Sequence, residues 1–404
     1  MGIIDGTGGR DVARRPRDRR DTIARNAAEL FAARGFNAVR MDDIAAATGI
    51  TAGALYRHFR NKQDLLSEIV NSSQQRYLAE LDAAGDEADV RRHGPETLTT
   101  LLTGLAAASL DSAHFAVLWQ RESRYLGDDD RAGLRARLHG MAGRIADRLG
   151  PDRPHAEITA WVLLAVLSSP GHHDLVLPRP RYDRMLVDAC LAVLDARPEP
   201  VGSTATVATG TGARPASRRE ELLLDAARAF RRSGYPSVGI NDIAATAGIA
   251  GPAIYRYFDA KSDILVALVA RFQEWAAHEA HRALRAADPA DPTDVLQRLV
   301  RAYVVVGTEN PDLVAVTVTE WSDLPDPDRD RLQRLRNDLV AEWQQWLLAA
   351  RPGLGRHEAT LLVRTAMVLI EDTVRVPHLT ATCPTAVPAE LEAAATAVLL
   401  HTTV

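Results

Sequence analysis

Residues 41–66 read MDDIAAATGITAGALYRHFRNKQDLL. Ile44, Ala45, Leu55 and Phe59 are apolar at helical spacing and form the inward side of one small core. Gly49 stands where a first helix has to stop, and glycine tolerates the left-handed backbone of such a stop. Thr51 offers a hydroxyl to cap the next helix. The stretch therefore predicts a short helix, a glycine turn, a second short helix and a restart near Asn61. That layout is a helix-turn-helix, whose second helix enters a DNA major groove. Residues 240–265, which begin 199 positions later, read INDIAATAGIAGPAIYRYFDAKSDIL. Asp43, Ile44, Ala45, Ala46, Gly49, Ile50, Ala54, Tyr56, Arg57, Phe59, Lys62, Asp64 and Leu66 all find an identical residue at that shift. So many identities without a gap mark an internal repeat.

The repeat extends upstream. A first helix is predicted from about Arg19 to Arg34, with Ile23, Ala27, Leu30 and Phe31 inward and Gly35 at its end. Leu222, Ala226, Ala229, Phe230 and Gly234 take those places in the second copy. Downstream, Asn61 and Ser262 are candidates to start a fourth helix, running from Lys62 to about Leu81 in the first copy. Asp82–Pro95 is polar and reads as a loop. Further helices are predicted near Glu96–Asp111, His114–Tyr125, Asp130–Leu149, Pro154–Ser169 and Arg181–Ala196. The second copy gives Lys261–Ala287, Pro292–Thr308, Leu313–Asp323, Pro327–Ala350, Arg356–Val376 and Pro388–Leu400. The tails repeat weakly: Glu122, Leu126 and Asp130 correspond to Glu320, Leu324 and Asp328 at a shift of 198. Period-2 alternation is absent, so the fold class is all-α.

These signals divide the chain into a basic, disordered arm (1–17), a head (18–66), a helical regulatory domain (67–197), a linker (198–216), a second head (217–265) and a second regulatory domain (266–404). The linker is rich in Pro, Gly, Ser and Thr. Stretched out, about 20 residues reach roughly 65 Å, enough to set two heads in successive major grooves about 34 Å apart.

The 404 residues carry a net charge of −5, which excludes a uniformly basic nucleic-acid binder. Arg10–Leu66 holds 12 Lys+Arg against 7 Asp+Glu, a balance of +5, and Arg214–Leu265 holds 8 against 6, a balance of +2. The rest carries −5 − 7 = −12. Basic heads on an acidic body suit local phosphate contact. Two cysteines, Cys190 and Cys383, make neither a disulfide framework nor a zinc site. The N-terminus lacks an apolar segment of signal-peptide type, and the apolar runs, such as Trp161–Leu167, are too short to span a membrane. A soluble cytoplasmic protein with no membrane partner is expected. No phosphate-binding glycine loop, nucleophile elbow or paired-cysteine metal cluster occurs, so neither an enzyme nor a cofactor is expected. His172–His173 beside Gly171 reads as a loop rather than a metal site.

The heads resemble the TetR family of bacterial repressors. Phe31, Gly35–Phe36, Asp43–Ile44–Ala45, Gly49–Ile50, Tyr56–Arg57–His58–Phe59, Lys62 and Leu65–Leu66 carry the resemblance in the first copy. In the second it rests on Phe230, Gly234–Tyr235, Asp242–Ile243–Ala244, Gly248–Ile249, Tyr255–Arg256–Tyr257–Phe258 and Lys261. The family implies an all-helical protein whose C-terminal domain responds to a small molecule and dimerises through its last helices. Two copies in one chain are unusual for it. That arrangement and the stretch Leu118–Leu126 look like actinobacterial double-TetR repressors of mammalian-cell-entry (lipid import) operons. The chain departs from the family pattern where Ser or Thr usually caps the helix before the turn: here stand Arg40 and Gly239.

The resemblance assigns DNA phosphates to Tyr56, His58, Lys62, Tyr255, Tyr257 and Lys261; the competing reading makes the tyrosines ordinary packing residues. Groove-facing positions are Thr51, Ala52, Gly53 and Arg57, then Ala250, Gly251, Pro252 and Arg256, where the two Arg could read guanine or face phosphate or solvent. Arg14, Arg15, Arg17, Arg19 and Arg20 make an arm for the backbone or minor groove, or else a solubilising tail, and Arg40 and Arg218 are further phosphate candidates. Of 48 Lys+Arg only Lys62 and Lys261 are lysine, at equivalent positions. Trp119, Arg121, Glu122, Arg124 and Tyr125, with Trp161, are candidates for a ligand cavity or for an internally paired core helix. The expected function is a repressor released from operator DNA by a small apolar effector, fatty acyl or sterol-like. The alternatives are a constitutive DNA-binding regulator and a module whose heads have left DNA. The expected assembly is an intramolecular pseudo-dimer, with further homodimerisation open.

Overall fold

The computed structural model describes residues 16–85, 95–175, 177–198 and 217–401. Every regular element among them is helical. The first copy runs α1 (Pro16–Arg34), α2 (Met41–Thr48), α3 (Ala52–Tyr56), α4 (Lys62–Ala83), α5 (Pro95–Asp111), α6 (His114–Val117), α7 (Asp128–Leu149), α8 (Ala156–Ser168) and α9 (Arg179–Asp195). The second runs α10 (Arg218–Ser233), α11 (Ile240–Thr246), a 3-10 turn (Gly251–Arg256), α12 (Lys261–Ala286), α13 (Pro292–Glu309) and α14 (Pro311–Thr319). It ends with α15 (Asp326–Ala350), α16 (Arg356–Val374), α17 (Pro377–Thr382) and α18 (Ala386–Leu400).

Each head closes on the residues its pattern named. Ile23, Ala27, Phe31, Ile44, Leu55, Phe59, Leu65 and Leu66 are buried together, as are Leu222, Ala226, Phe230, Ile243, Ile254, Phe258, Ile264 and Leu265. Both turns use a left-handed glycine: Gly49 has φ 67° and Gly248 φ 68°. The next amide closes each helix end, with Ile50 N–H donating to the Ala45 carbonyl at 3.0 Å and Ile249 N–H to that of Ala244 at 2.9 Å.

Between the copies, α8 packs against α16 and α9 against α18, corresponding helices from the ends of the two tails. The apolar runs of α8 and α16 are buried almost throughout. Helices so apolar need cover on all sides, and each tail supplies part of the other's. Polar bridges join the same surface: Ser169 Oγ lies 3.0 Å from Thr365 Oγ1, Arg181 pairs with Glu358, and His378 Nε2 lies 2.8 Å from Glu157.

Several expectations change. Residues 1–15 of the arm, 86–94 of the Asp82–Pro95 loop and 199–216 of the linker lie outside the described residues. Pro16 and Arg17 already belong to α1, and Asp82 to α4. The predicted single helix His114–Tyr125 is α6, then a π-helical turn Leu118–Glu122, then a 3-10 turn Ser123–Tyr125. The 3.6-residue period of the sequence does not reveal such a widened turn, a feature often found at functional sites. Leu313–Asp323 likewise splits into α14 and a 3-10 turn at Trp321–Asp323. Ser262 does not cap α12; the Ala260 N–H is met by the Asp263 carboxylate at 2.9 Å. Asn61 does cap α4, its side-chain oxygen accepting from Asp64 N–H at 2.7 Å.

Candidate nucleic-acid interface

The outward surface of each head is built by its turn. Thr51 caps α3, its Oγ1 accepting from Ala54 N–H at 3.2 Å. Ala250 has no such oxygen and Pro252 no N–H, so the corresponding segment tightens to a 3-10 turn. Asn241 fills the space that a Cβ on Gly251 would take. The helices before the turn lack a Ser or Thr cap but are not bare. The Asp43 carboxylate accepts from Arg40 N–H at 2.8 Å and Asp242 from Gly239 N–H at 2.7 Å. That leaves the Arg40 side chain exposed and free to point outward.

Tyr56 and Tyr255 are each 52% exposed, and Tyr257 is 38% exposed. The two heads thus hold the same partly buried aromatic at equivalent sites. Thr51, Gly53, Arg57, Ala250, Pro252 and Arg256 are exposed beside them, while Ala52, Gly251 and His58 are half-buried.

The lysines are placed differently from the rest. Lys62 Nζ donates to the carbonyls of Phe36 at 2.8 Å and Val39 at 2.7 Å, and lies 4.5 Å from the Phe36 ring centroid. Lys261 repeats this on Tyr235 at 2.9 Å and Val238 at 3.0 Å, 4.1 Å from the Tyr235 ring. Burial pushes both ammonium groups below their ordinary value. Two of three N–H donors thus fasten the loop between the first two helices, and a phosphate has only the third. The paired lysines were legible as a signal, but their first use is internal.

Arg20 lies on α1. It pairs with Glu68 at 2.9 Å, donates to the His58 carbonyl at 2.8 Å and covers the Phe59 ring at 4.3 Å. Arg219 covers Phe258 in the same way at 4.9 Å. Arg218 pairs with Glu221 at 2.6 Å and also reaches the Ala247 carbonyl. Arg19 is half-buried on α1; Arg14 and Arg15 lie outside the described residues.

The candidate ligand residues separate into three places. Trp119 and Trp161 line a cavity of about 300 Å³ with Tyr77, Phe115, Leu138, His139 and Met141. Asp372, Arg375 and Pro377 of the second copy wall part of it. Asp372 is a hub there, accepting from Gln120 Nε2 at 2.7 Å and Ser168 Oγ at 2.8 Å and pairing with Arg375 at 2.9 Å. Arg121 lies instead against a second cavity, formed with Arg336 and Arg364. Glu122 and Tyr125 line neither cavity. Tyr125 stacks on Phe36 with centroids 4.8 Å apart, its hydroxyl accepting from Asn37 Nδ2 at 2.6 Å. Buried Glu122 has its carboxyl raised by desolvation against Arg121 and the Phe36 amide. These two residues join tail to head, a role that residue type alone does not separate from ligand contact.

The model described as "Bacterial regulatory proteins, tetR family" matches residues 23–69 and again 222–268, and "Tetracyclin repressor-like, C-terminal domain" matches 289–369. The chain is 32% identical over 126 residues to the HTH-type transcriptional repressor KstR2 of Mycolicibacterium smegmatis, covering 29% of this chain and 56% of that protein. It is 34% identical over 116 residues to KstR2 of Rhodococcus jostii, covering 28% and 54%. The chain thus spans about half the length of the curated relatives it matches. Among solved structures, a TetR-family regulator from Bordetella parapertussis aligns at 22% identity and TM-score 0.41, covering 44% of this chain and 93% of that one. The ketosteroid regulator KstR2 of Mycobacterium tuberculosis aligns at 25% and 0.35, covering 40% and 82%. With two matched N-terminal units set 199 residues apart, each folded as a helix-turn-helix head, the chain belongs to the TetR family of bacterial regulatory proteins and carries two of its units in one polypeptide.

Proposed function

We propose that this chain is a transcriptional repressor that holds operator DNA with its two heads and lets go when a small apolar, lipid-like molecule enters the cavity beside Trp119 and Trp161. The observation that carries the DNA reading is the pair Tyr56 and Tyr255, half exposed on the turn surface of both heads. Phenol hydroxyls there donate to phosphate oxygens and set register without reading sequence. Tyr257, His58, Arg57, Arg256 and Arg40 extend the same surface. The names of the relatives as repressors support the direction of control.

The effector reading rests on the cavity's chemistry. Two tryptophans, a phenylalanine, two leucines and a methionine line its body, and the polar group Gln120, Asp372 and Arg375 closes one end. An apolar body with one polar end suits a fatty alcohol or a sterol better than a sugar or nucleotide. Because α8 and α9 meet α16 and α18 within the chain, one polypeptide presents both heads, and the unit on one operator is a single-chain pseudo-dimer. Tethering supports this by keeping the second copy at an effective concentration in the mM range.

The test is selection of a binding sequence from random DNA with the full chain, followed by anisotropy titration and light scattering. A Tyr56→Ala, Tyr255→Ala double variant should lose affinity for all sequences alike. Decanol or a neutral sterol should release wild-type protein but not Trp161→Arg protein. Two chains on every minimal site would overturn the single-chain unit, and release that ignores Trp161→Arg would overturn the effector site.

A further inference from the structure

The two tails carry equivalent cavities that have diverged in chemistry. In the apolar one stand Trp119, Arg135, Leu138 and His139. At a shift of 198, Thr317, Gln333, Arg336 and Asn337 line the second, a cavity of about 620 Å³. It takes its remaining wall from the first copy: Arg121 and the segment Pro170–His173 after α8, just as Arg375–Pro377 after α16 close the apolar one. Gln120 lines both. Three successive residues of the widened turn therefore address two chambers: Trp119 the apolar one, Gln120 both, Arg121 the polar one.

Residues lining the second chamber carry buried polar atoms without a hydrogen-bond partner, His172 Nε2 standing 3.9 Å from the Asp372 carboxylate. Arg121 Nε, His172 Nε2, His173 Nδ1, Thr317 Oγ1 and Arg364 Nε are all buried there without a hydrogen-bond partner. Each such group carries a desolvation cost unless something satisfies it. Folds retain that cost where a ligand or ordered water meets it.

The charges favour an anion. Arg336 is already neutralised by Glu371, with contacts of 3.1 and 3.2 Å, and Tyr303 donates to the same carboxylate at 2.6 Å. Arg364 reaches only the Asn337 side-chain oxygen, at 3.2 Å, and no ion pair between described residues engages Arg121 or Arg364. Three acids face Arg121: Glu320 pairs with Arg124, Glu122 accepts from the Phe36 amide, and Asp323 is in no ion pair among the described residues. Glu29 and Asp174 stand exposed at the rim. Desolvation holds the Arg121 and Arg364 guanidinium groups below their ordinary value, and for Arg364 the neighbouring Arg336 adds to it.

We infer that the second cavity is a separate binding site for a small polar anion, a carboxylate or a phosphate, held between Arg121 and Arg364 with Thr317 donating its hydroxyl. Such a ligand supplies acceptors to the two guanidinium groups and to a hydroxyl that can donate. It differs in class from the apolar effector, so the chain has two unlike small-molecule sites. Ala32 and Ala33 of α1 also line the chamber, which puts its occupant in contact with the first head.

The experiment is calorimetric titration of the DNA-free full chain with succinate, inorganic phosphate and uncharged succinamide. Binding of one or both anions and none of succinamide is expected, and which anion binds distinguishes carboxylate from phosphate. Arg364→Gln and Arg121→Gln should each weaken binding about tenfold or more, as loss of a hydrogen bond to a charged group does. Thr317→Val, nearly the same shape, should weaken it less and guards against a variant that fails to fold. Absence of binding by both anions, or binding unchanged in Thr317→Val and in whichever Arg variants remain folded, would overturn the site. Because no DNA or apolar ligand is present, this result stands apart from the repressor reading.

Discussion

Arg124 of the first tail and Glu320 of the second form an ion pair of 2.6 Å, with side chains 17% and 2% exposed. Arg124 also donates to the Thr319 carbonyl at 3.0 Å and lies against Gly234 at the corner of the second head. One side chain thus ties both tails and a head. Removing one partner of a buried pair leaves the other charge unmet, at a cost of about 3–5 kcal/mol. Arg124→Ala should therefore lower the urea midpoint strongly. The Arg124→Gln, Glu320→Gln double variant should recover much of that loss, since neither buried charge remains. A double variant as unstable as Arg124→Ala would show that packing, not charge, sets the cost.

Lys62 and Lys261 separate structure from DNA contact. Each holds two loop carbonyls, so Lys62→Ala or Lys261→Ala should lower stability by about 1–3 kcal/mol with no DNA present. If the third N–H also meets phosphate, the same variants lower the slope of log K against log salt by about one. Denaturation without DNA and salt titration with it read the two effects independently. Unchanged stability would refute the internal clamp.

Much of this was legible in the sequence, for reasons that differ by region. The heads were readable because Gly49, Gly248, Phe59 and Phe258 leave few alternatives to the turn and core they make. The tails were readable as helices because α8 is apolar on nearly every side and α16 carries long apolar runs. The fate of Glu122 and Tyr125 was not readable. A charged or aromatic residue on an inner helix can line a cavity or bridge to another domain, and only the path of the chain in space decides which. The second cavity was hidden for the same reason: Arg121, His172, Thr317 and Arg364 come from four segments and both copies. The signal that was available, and missed, was the replacement of Trp119 and Leu138 by Thr317 and Arg336 at the repeat shift.

His173 gives the fold a pH dependence. Burial first, then Arg364 and His172, push its imidazole from the ordinary 6.5 down to about 4. Its folded form is therefore neutral, and between those values the unfolded chain binds the extra proton. Stability tied to this group is complete above about pH 6.5 and falls as pH drops towards about 4, by roughly 3 kcal/mol in all. His172 is shifted in the same direction by desolvation. His173→Gln should flatten the decline between these limits in urea denaturation at stepped pH. A variant that loses stability as steeply as wild type would assign the decline to other groups.

The operator should not be a good palindrome. Identical heads read two equivalent half-sites, so operator symmetry mirrors protein symmetry. These heads are not identical on their turn surfaces. The first presents an α-helical turn capped by Thr51, whose hydroxyl stays exposed at the groove-facing end. The second presents a tighter 3-10 turn with Ala250, Gly251 and Pro252, none of which has a side-chain donor. Tyr257 replaces His58, and the head segments carry +2 against +5. Each difference shifts discrimination towards the first head and leaves the second to backbone contact and DNA shape. Single base-pair changes in one half of the site should cost about 1–3 kcal/mol at the contacted positions, and distinctly less in the other half. A systematic substitution series on the selected site, read by anisotropy, measures this directly. Placing Thr at position 250 and Ala at 252 should raise sensitivity in the weaker half by restoring the cap and the missing N–H. Two inverted halves of matching sequence with equal sensitivity would mean that the heads read DNA alike despite these differences.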